Sequence, residues 1–300
     1  MYKLNKYSNS YPLVSVVVPS YNHKDFIEEC ILSILGQSYP NIELLVIDDG
    51  STDGSIDTIK SLLEKYDFSF ISKENEGVAK TLNLGIKKTA GELICLCASD
   101  DYWHINKVAK QVDYMINNPT IYSSYCGVVS VDGRGKINHA QTERRNSNLK
   151  GGDLFDSIIL NDFQPPVSFI YSRALFNQIG TFREGMHTED FEFNLRNSVK
   201  YEIGFISDRL FYYRILDGRN NTRLGKTRII HESHLACIDH YSDLAIYPKA
   251  KRLLYYRAFC AYSPYWYHKF FSMNMMVKSR GFLFSLGYLK AIVKLALFWK

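Results

Sequence analysis

Residues 12–55 read PLVSVVVPSYNHKDFIEECILSILGQSYPNIELLVIDDGSTDGS, and this stretch decides the fold. Residues 13–19 are a short, unbroken β-branched run, the pattern of a strand covered on both faces. Residues 20–23 make a polar turn. Apolar residues then return at helical spacing: Phe26, Ile27, Cys30, Ile31, Ile34 and Leu35. Tyr39-Pro40-Asn41 breaks the helix, residues 42–47 form a second apolar run, and residues 48–55 are a polar loop.

The rhythm continues outward. The pattern predicts a helix over 56–66, a strand over 68–71, a turn at 75–77, a helix over 78–89 and a strand over 92–97 that ends at Ala98-Ser99-Asp100-Asp101. Four strand–helix alternations imply an α/β sandwich with a mostly parallel, Rossmann-like central sheet and right-handed crossovers. The polar loops after the strands then gather at one sheet edge, where such folds bind ligands. Beyond Asp101 the spacing predicts a helix over 105–116, a strand over 121–131 and a mobile polar loop over 134–152. It then predicts a strand over 167–171, a helix over 173–179 and a loop entering a helix over 187–199. Two short strands, 204–206 and 210–215, lead to a polar loop over 217–228 and a helical remainder.

The 300 residues are 46% hydrophobic and 22% charged, enough for a folded chain with a sizeable core. None of the six cysteines forms a CxxC pair, and the first ten residues are too polar for a signal peptide. A reducing cytoplasm fits; a disulfide scaffold or zinc site does not. No GxGxxG and no Walker A loop follows the first strand, which argues against dinucleotide and P-loop chemistry.

In their place stand two carboxylate pairs, Asp48-Asp49 and Asp100-Asp101, at predicted strand ends. Adjacent carboxylates repel unless something positive lies near them. A divalent cation shared with substrate phosphates meets that need, and oxygen ligands suit Mg²⁺ or Mn²⁺. Either pair alone reads equally as solvated loop caps; both in order within a βαβ series favour a ligand site.

These segments, with KENEGVAKTLNLGIKKTAGELICLCASDDYW (73–103) and GTFREGMHTEDFEFNLR (180–196), resemble glycosyltransferase family 2, a group of inverting sugar transferases with the GT-A fold. The likeness covers residues 12–215. It implies a nucleotide-sugar donor, here a UDP-hexose or UDP-N-acetylhexosamine, and a divalent metal. It implies residues 1–101 as a nucleotide-sugar-binding half and 102–228 as the acceptor-binding, catalytic half of one domain, with 229–300 a helical extension. By resemblance, Pro19 and Tyr21 line the base and Asp49 accepts from uracil or ribose, while Asp48 holds the loop or shares the ribose. Tyr21 could as well pack on the sheet edge. Asn75, Gly77 and Lys80 belong to the third nucleotide-side segment. Asp100 is the metal-binding aspartate, with Asp101 behind it or at the donor sugar. Asp190 is the base that takes the acceptor proton, with Glu189 orienting it or binding an acceptor hydroxyl. Arg214, Arg219 and Arg223 are candidates to neutralise the leaving diphosphate. Two positions depart from the family pattern: Ala98 stands where an Asp is commoner, and Leu216 where a His is usual.

The net charge of +5 is unevenly spread. Residues 1–243 hold 26 Lys and Arg against 31 Asp and Glu; residues 244–300 hold ten Lys and Arg, no Asp or Glu, and 15 aromatics. Residues 282–299 read as an apolar helix interrupted by Lys290 and Lys294, which disfavours a membrane span and suits a helix lying in an anionic membrane surface. A helix docked on the domain or on a second copy is the competing reading, and nucleic acid is disfavoured by the acidic body. The expected whole is a cytoplasmic transferase, peripheral at the inner membrane face, acting on a lipid-linked or surface-polysaccharide glycan such as O-antigen or capsule. A sugar nucleotidyltransferase and a non-catalytic carbohydrate-binding subunit are the alternatives.

Overall fold

The computed structural model describes residues 11–216, 223–265, 268–279 and 285–297. The chain divides into two compact units, residues 1–154 with 165–220, and residues 155–164 with 221–300.

In the first unit, β1 (Val14–Ser20), α1 (Ile27–Leu35), β2 (Ile42–Asp49), α2 (Ser55–Leu63), β3 (Ser69–Lys73), α3 (Val78–Lys88) and β4 (Leu93–Leu96) alternate as the hydrophobic pattern predicts. β5 (Tyr102–Trp103), α4 (Lys107–Asn117), β6 (Ser123–Asp132) and α5 (His139–Asn146) follow. β7 (Phe169–Ser172), α7 (Arg173–Ile179), α8 (Glu189–Lys200) and β8 (Gly204–Ile215) complete the unit; α6 (Phe155–Ile159) belongs to the other. The described strands form one eight-stranded sheet in the order β3-β2-β1-β4-β7-β6-β8-β5. β1 pairs in parallel with β2 and β4, β2 with β3, and β6 with β8; β7 runs antiparallel to β4 and β6, and β5 to β8.

The β-branched run of β1 explains its central place: Val14, Val16, Val17 and Val18 are wholly buried. α1 covers one face with Ile27, Cys30, Ile31 and Ile34. α3 comes very close to β1, because a Cβ on Gly85 would sit 2.2 Å from Val17 Cγ1. Strand order reverses between β1 and β4, so the C-terminal ends of these two strands diverge around a crevice.

Two local readings are corrected. Residues 139–146 are not loop but helix α5, stapled to β6 by polar bonds that hydrophobic periodicity cannot reveal. Asn138 accepts from Gln141 N at 3.0 Å, Thr142 Oγ1 from Ser130 N at 2.9 Å, and Asn146 Oδ1 from Val128 N at 3.0 Å. Residues 204–215 are one strand, not two. Its exposed middle, Ser207-Asp208-Arg209, runs past a register shift in β6 between Cys126 and Val128, which hides the continuity.

The second unit is helical: α6, α9 (Arg223–Asp239), α10 (Tyr247–Tyr262), α11 (Lys269–Lys278) and α12 (Leu286–Leu297). α9 begins inside the stretch predicted as a loop over 217–228, and residues 217–222 lie outside the described residues. Its core includes Phe259, Tyr262, Met275, Tyr288 and Ala291. His231 and His234, on α9, are each pulled down to about 4 by burial, so both are neutral at pH 7.

Candidate active site

The loops after β1, β2 and β3 are tied together before any ligand arrives. Asp48 is wholly buried and accepts from Ser51 N at 2.8 Å and Ser51 Oγ at 2.6 Å, so it holds the β2 loop. Asn22 Oδ1 accepts from Thr52 N at 2.8 Å, joining the β1 and β2 loops. Asp49 accepts from Glu76 N at 3.0 Å, from Gly77 N at 2.9 Å and from the Lys73 ammonium. Burial pushes its carboxyl up, but these donors prevail and hold it below the usual carboxylate range. Three acceptor positions of Asp49 are thus taken, leaving room for one more donor on Oδ2. Gly77 has φ +92° and ψ 159°, a backbone region open to glycine alone, which lets its N–H turn toward Asp49. Tyr21 is 49% exposed, and Asn75 and Lys80 are also exposed, Lys80 pairing with Glu76 at 3.2 Å.

After β4 the chain turns through Ala98-Ser99-Asp100-Asp101. The two aspartates separate by environment. Asp101 is buried and accepts from Arg214 N at 2.7 Å; burial, then the neighbouring Asp100 carboxylate, raises its proton affinity well above the normal range. Arg214 is 4% exposed. Its Nε donates to the Asp100 carbonyl at 2.8 Å, its other nitrogens reach the Asp132 and Gly133 carbonyls and Glu29, and its guanidinium lies 4.7 Å from the Phe26 ring centre. The structure thus has Asp101 and Arg214 brace the turn from behind. Asp100 stays partly exposed, its Oδ1 3.8 Å from His23 Nδ1, and that imidazole in turn meets Ser99 Oγ at 2.8 Å. His23 is a site neighbour that sequence reading missed; it stands in the β1 loop, three residues past the strand.

Glu189 and Asp190 open α8, where unpaired N–H groups favour an anion; Phe191 N donates to Asp190 Oδ1 at 2.8 Å. Both carboxylates line a cleft of about 740 Å³, counted to its open mouth, whose other walls include Pro19, Val78, Leu82, Ala98, Val167 and Phe182. Asp190 is accessible from the cleft and still closely surrounded by protein, so desolvation raises its pKa. Burial, then repulsion by Asp190, pushes Glu189 up to about 7. The cleft therefore joins the end of β1, the turn after β4 and the first turn of α8. Val78, the residue after Gly77, links it to the nucleotide-side loops.

Among the described residues no group of three or more His, Cys, Asp and Glu could hold a metal. Of the two aspartates in the turn after β4, Asp100 is the partly exposed carboxylate that could bind a divalent ion. That fits a Mg²⁺- or Mn²⁺-type ion shared with a diphosphate, and not one caged by protein alone.

The family model for glycosyl transferase family 2 matches residues 15–180. An uncharacterized glycosyltransferase of Haemophilus influenzae is 41% identical over 109 residues, 36% of this chain and 44% of that one. The putative teichuronic acid biosynthesis glycosyltransferase TuaG of Bacillus subtilis is 37% identical over 119 residues, 39% of this chain and 47% of that one. The chain thus spans less than half the length of these two relatives. Among solved structures, Staphylococcus aureus TarS 1–349 in complex with UDP-GlcNAc matches 94% of this chain and 80% of its own, with TM-score 0.61 and 20% identity. The mannosyltransferase PcManGT of Pyrobaculum calidifontis, in complex with GDP-Man and Mn²⁺, matches 96% and 85%, with TM-score 0.57 and 18% identity. At these identities the likeness establishes the α/β sandwich of the GT-A type.

Proposed function

The chain belongs to glycosyl transferase family 2, and we propose that it is a glycosyltransferase that inverts the anomeric centre of a UDP-sugar while passing the sugar to a glycan hydroxyl. The observation that carries this reading is the cleft that sets Glu189 and Asp190 beside Pro19 and Ala98, at the crevice between β1 and β4. UDP as the nucleotide is supported by the TarS complex, and a surface-polysaccharide acceptor by TuaG.

The residues divide the work. Tyr21 and Pro19 flank the base, Asp49 accepts one more donor from base or ribose, and the Gly77 backbone admits the diphosphate. Asp100 would hold a Mn²⁺ or Mg²⁺, which when bound neutralises diphosphate charge and so eases its departure; the PcManGT complex supports the choice of ion. Asp190 takes the proton from the acceptor hydroxyl as that oxygen attacks the anomeric carbon from the face opposite the departing diphosphate. Glu189 beside it orients the acceptor. Incubating the protein with UDP-sugars and Mn²⁺ and assaying UDP release tests the reading; no release from any UDP-sugar, with or without glycan acceptors, overturns it.

The pH dependence has a definite sign. A base works deprotonated, and desolvation raises Asp190 above the ordinary aspartate range, so kcat/KM should rise with pH along an acid limb displaced upward from that range. The Asp190 charge is itself a cause of the rise of Glu189 to about 7, so Asp190 ionises first and Glu189→Gln should leave the limb in place. A limb that moves to lower pH in that variant overturns this order.

The C-terminal helices favour a membrane surface as partner. Tyr288 and Ala291 bury one face of α12 within the helical unit. Leu286, Leu289, Val293 and Leu297 leave the other exposed, flanked by Lys290 and Lys294. Phe270, Met273 and Val277 expose a second stripe on α11. No helix among the described residues is long and apolar enough to cross a bilayer. The stripe would enter the lipid interface, and each cation near anionic lipid adds about 1 kcal/mol within a Debye length. Leu289→Glu with Val293→Glu spares the buried face, and should reduce pelleting with phosphatidylglycerol vesicles while leaving UDP release intact. Residues 282–284 and 298–299 of the helix predicted over 282–299 lie outside the described residues. Equal, salt-independent pelleting of both proteins rules the membrane out, and a change of subunit number in its place assigns the face to a second copy.

A further inference from the structure

The cleft beside Asp190 contains two polar groups that the reaction, as derived, does not use. Asn194 lies one turn beyond Asp190 on α8, is 4% exposed and lines the cleft. Its side-chain amide has no hydrogen-bond partner among the described residues, although neighbours such as Asn197 and Arg196 are bonded at 2.7–2.8 Å. Tyr171, on β7, is 5% exposed, lines the same cleft, and its hydroxyl likewise has no partner among the described residues. Its ring is held edge-on by Phe176 and Phe193, 5.5 Å away between centres in each case, so the hydroxyl is fixed in place. Protein interiors rarely leave a buried amide and a buried phenol unsatisfied, and both here open onto a cleft. The wall around them is apolar: Leu82, Val167, Phe169 and Phe182.

We infer that Asn194 and Tyr171 form a subsite for the acetamido group of an N-acetylated sugar; this rests on glycosyl transfer being the reaction. The chemistry of that group matches the wall point for point. Its N–H donates to an amide oxygen, its carbonyl accepts from an amide N–H or a phenol, and its methyl needs an apolar surface. An Asn side chain supplies both donor and acceptor, the tyrosine hydroxyl a second donor, and the leucine, valine and phenylalanines the surface. A plain hydroxyl at the same position satisfies at most part of the amide and leaves the apolar wall facing a polar atom or water. The acetamido group can belong to the transferred sugar or to the acceptor, since the cleft adjoins both β-strand ends and Asp190.

The test uses matched pairs. UDP-GlcNAc against UDP-glucose, and UDP-GalNAc against UDP-galactose, report the donor; methyl glycosides of N-acetylglucosamine and of glucose report the acceptor. The expected result is a preference of at least ~10-fold for the acetamido partner in one arm, since a site built around hydrogen bonds discriminates against ligands lacking them. Asn194→Leu should bring that ratio to within ~2-fold while the affinity for UDP alone stays unchanged. Tyr171→Phe, which keeps the ring, should lower the same ratio and serves if Asn194→Leu does not fold. No preference in either arm overturns the subsite, as does a preference that survives both substitutions. A protein that binds no UDP and releases none fails differently: there glycosyl transfer itself is the wrong reading.

Discussion

Asp190→Asn is expected to give a folded protein that binds UDP and UDP-sugar normally and transfers sugar at least ~10²-fold more slowly. The asparagine keeps the shape of the side chain and can still accept from Phe191 N, the contact now made by Asp190 Oδ1 at 2.8 Å. It cannot take a proton. Desolvation in the cleft already raises the Asp190 pKa, and a raised pKa makes a carboxylate a stronger base, so the loss removes the group best tuned for the step. Donor contacts lie on the loops after β1, β2 and β3 and should be untouched. The decisive measurement is therefore split: calorimetry for UDP, single-turnover rate for transfer. If the rate falls less than ~10-fold while UDP binds normally, the base is another group, and Glu189, its neighbour in the same cleft, is the first to substitute.

How far the sequence reached depends on what each element needed. The β1–β4 half was legible because its strands are buried on both faces and therefore apolar without interruption; the run Val16-Val17-Val18 admits few other readings. α5 was not legible, because Asn138 caps it, Thr142 and Asn146 hold it to β6 through polar bonds, and it has almost no apolar face. The same division runs through the site. Asp49, Asp100, Glu189 and Asp190 stand out as acids at strand ends and a helix start. Their supports do not: Lys73 reaches Asp49 across 24 residues, and Arg214 reaches the Asp100 carbonyl across 114. Arg214 itself shows the limit. An arginine beside two tyrosines at the end of a strand looks like a phosphate ligand, and only its burial reveals that its donors are spent on carbonyls and Glu29. Asn194 was passed over for the opposite reason. An asparagine inside a helix carries no pattern, and its open amide becomes visible only once the cleft is.

Asp100→Ala is expected to abolish transfer and to remove the Mn²⁺-dependent part of UDP affinity, leaving the metal-free part. The size of the effect follows from the absence of a substitute. Asp101 is next in sequence, but it is buried, bonded to Arg214 N at 2.7 Å and held toward its protonated form. Ala98, where a carboxylate could have stood, offers no oxygen from its side chain. No cluster of three ligating side chains exists among the described residues. A cation bridging protein and diphosphate would then have lost its protein anchor, and a hard ion keeps few contacts without one. The substitution should leave the turn itself standing, since Arg214 Nε holds the backbone carbonyl of residue 100 at 2.8 Å and not its side chain. Folding can be checked by thermal melting, and the binding by titrating UDP with and without Mn²⁺ into both proteins. The wild type should bind more tightly with Mn²⁺ and the variant equally in both. A folded Asp100→Ala protein whose UDP affinity still rises with Mn²⁺ to the wild-type level would place the ion elsewhere.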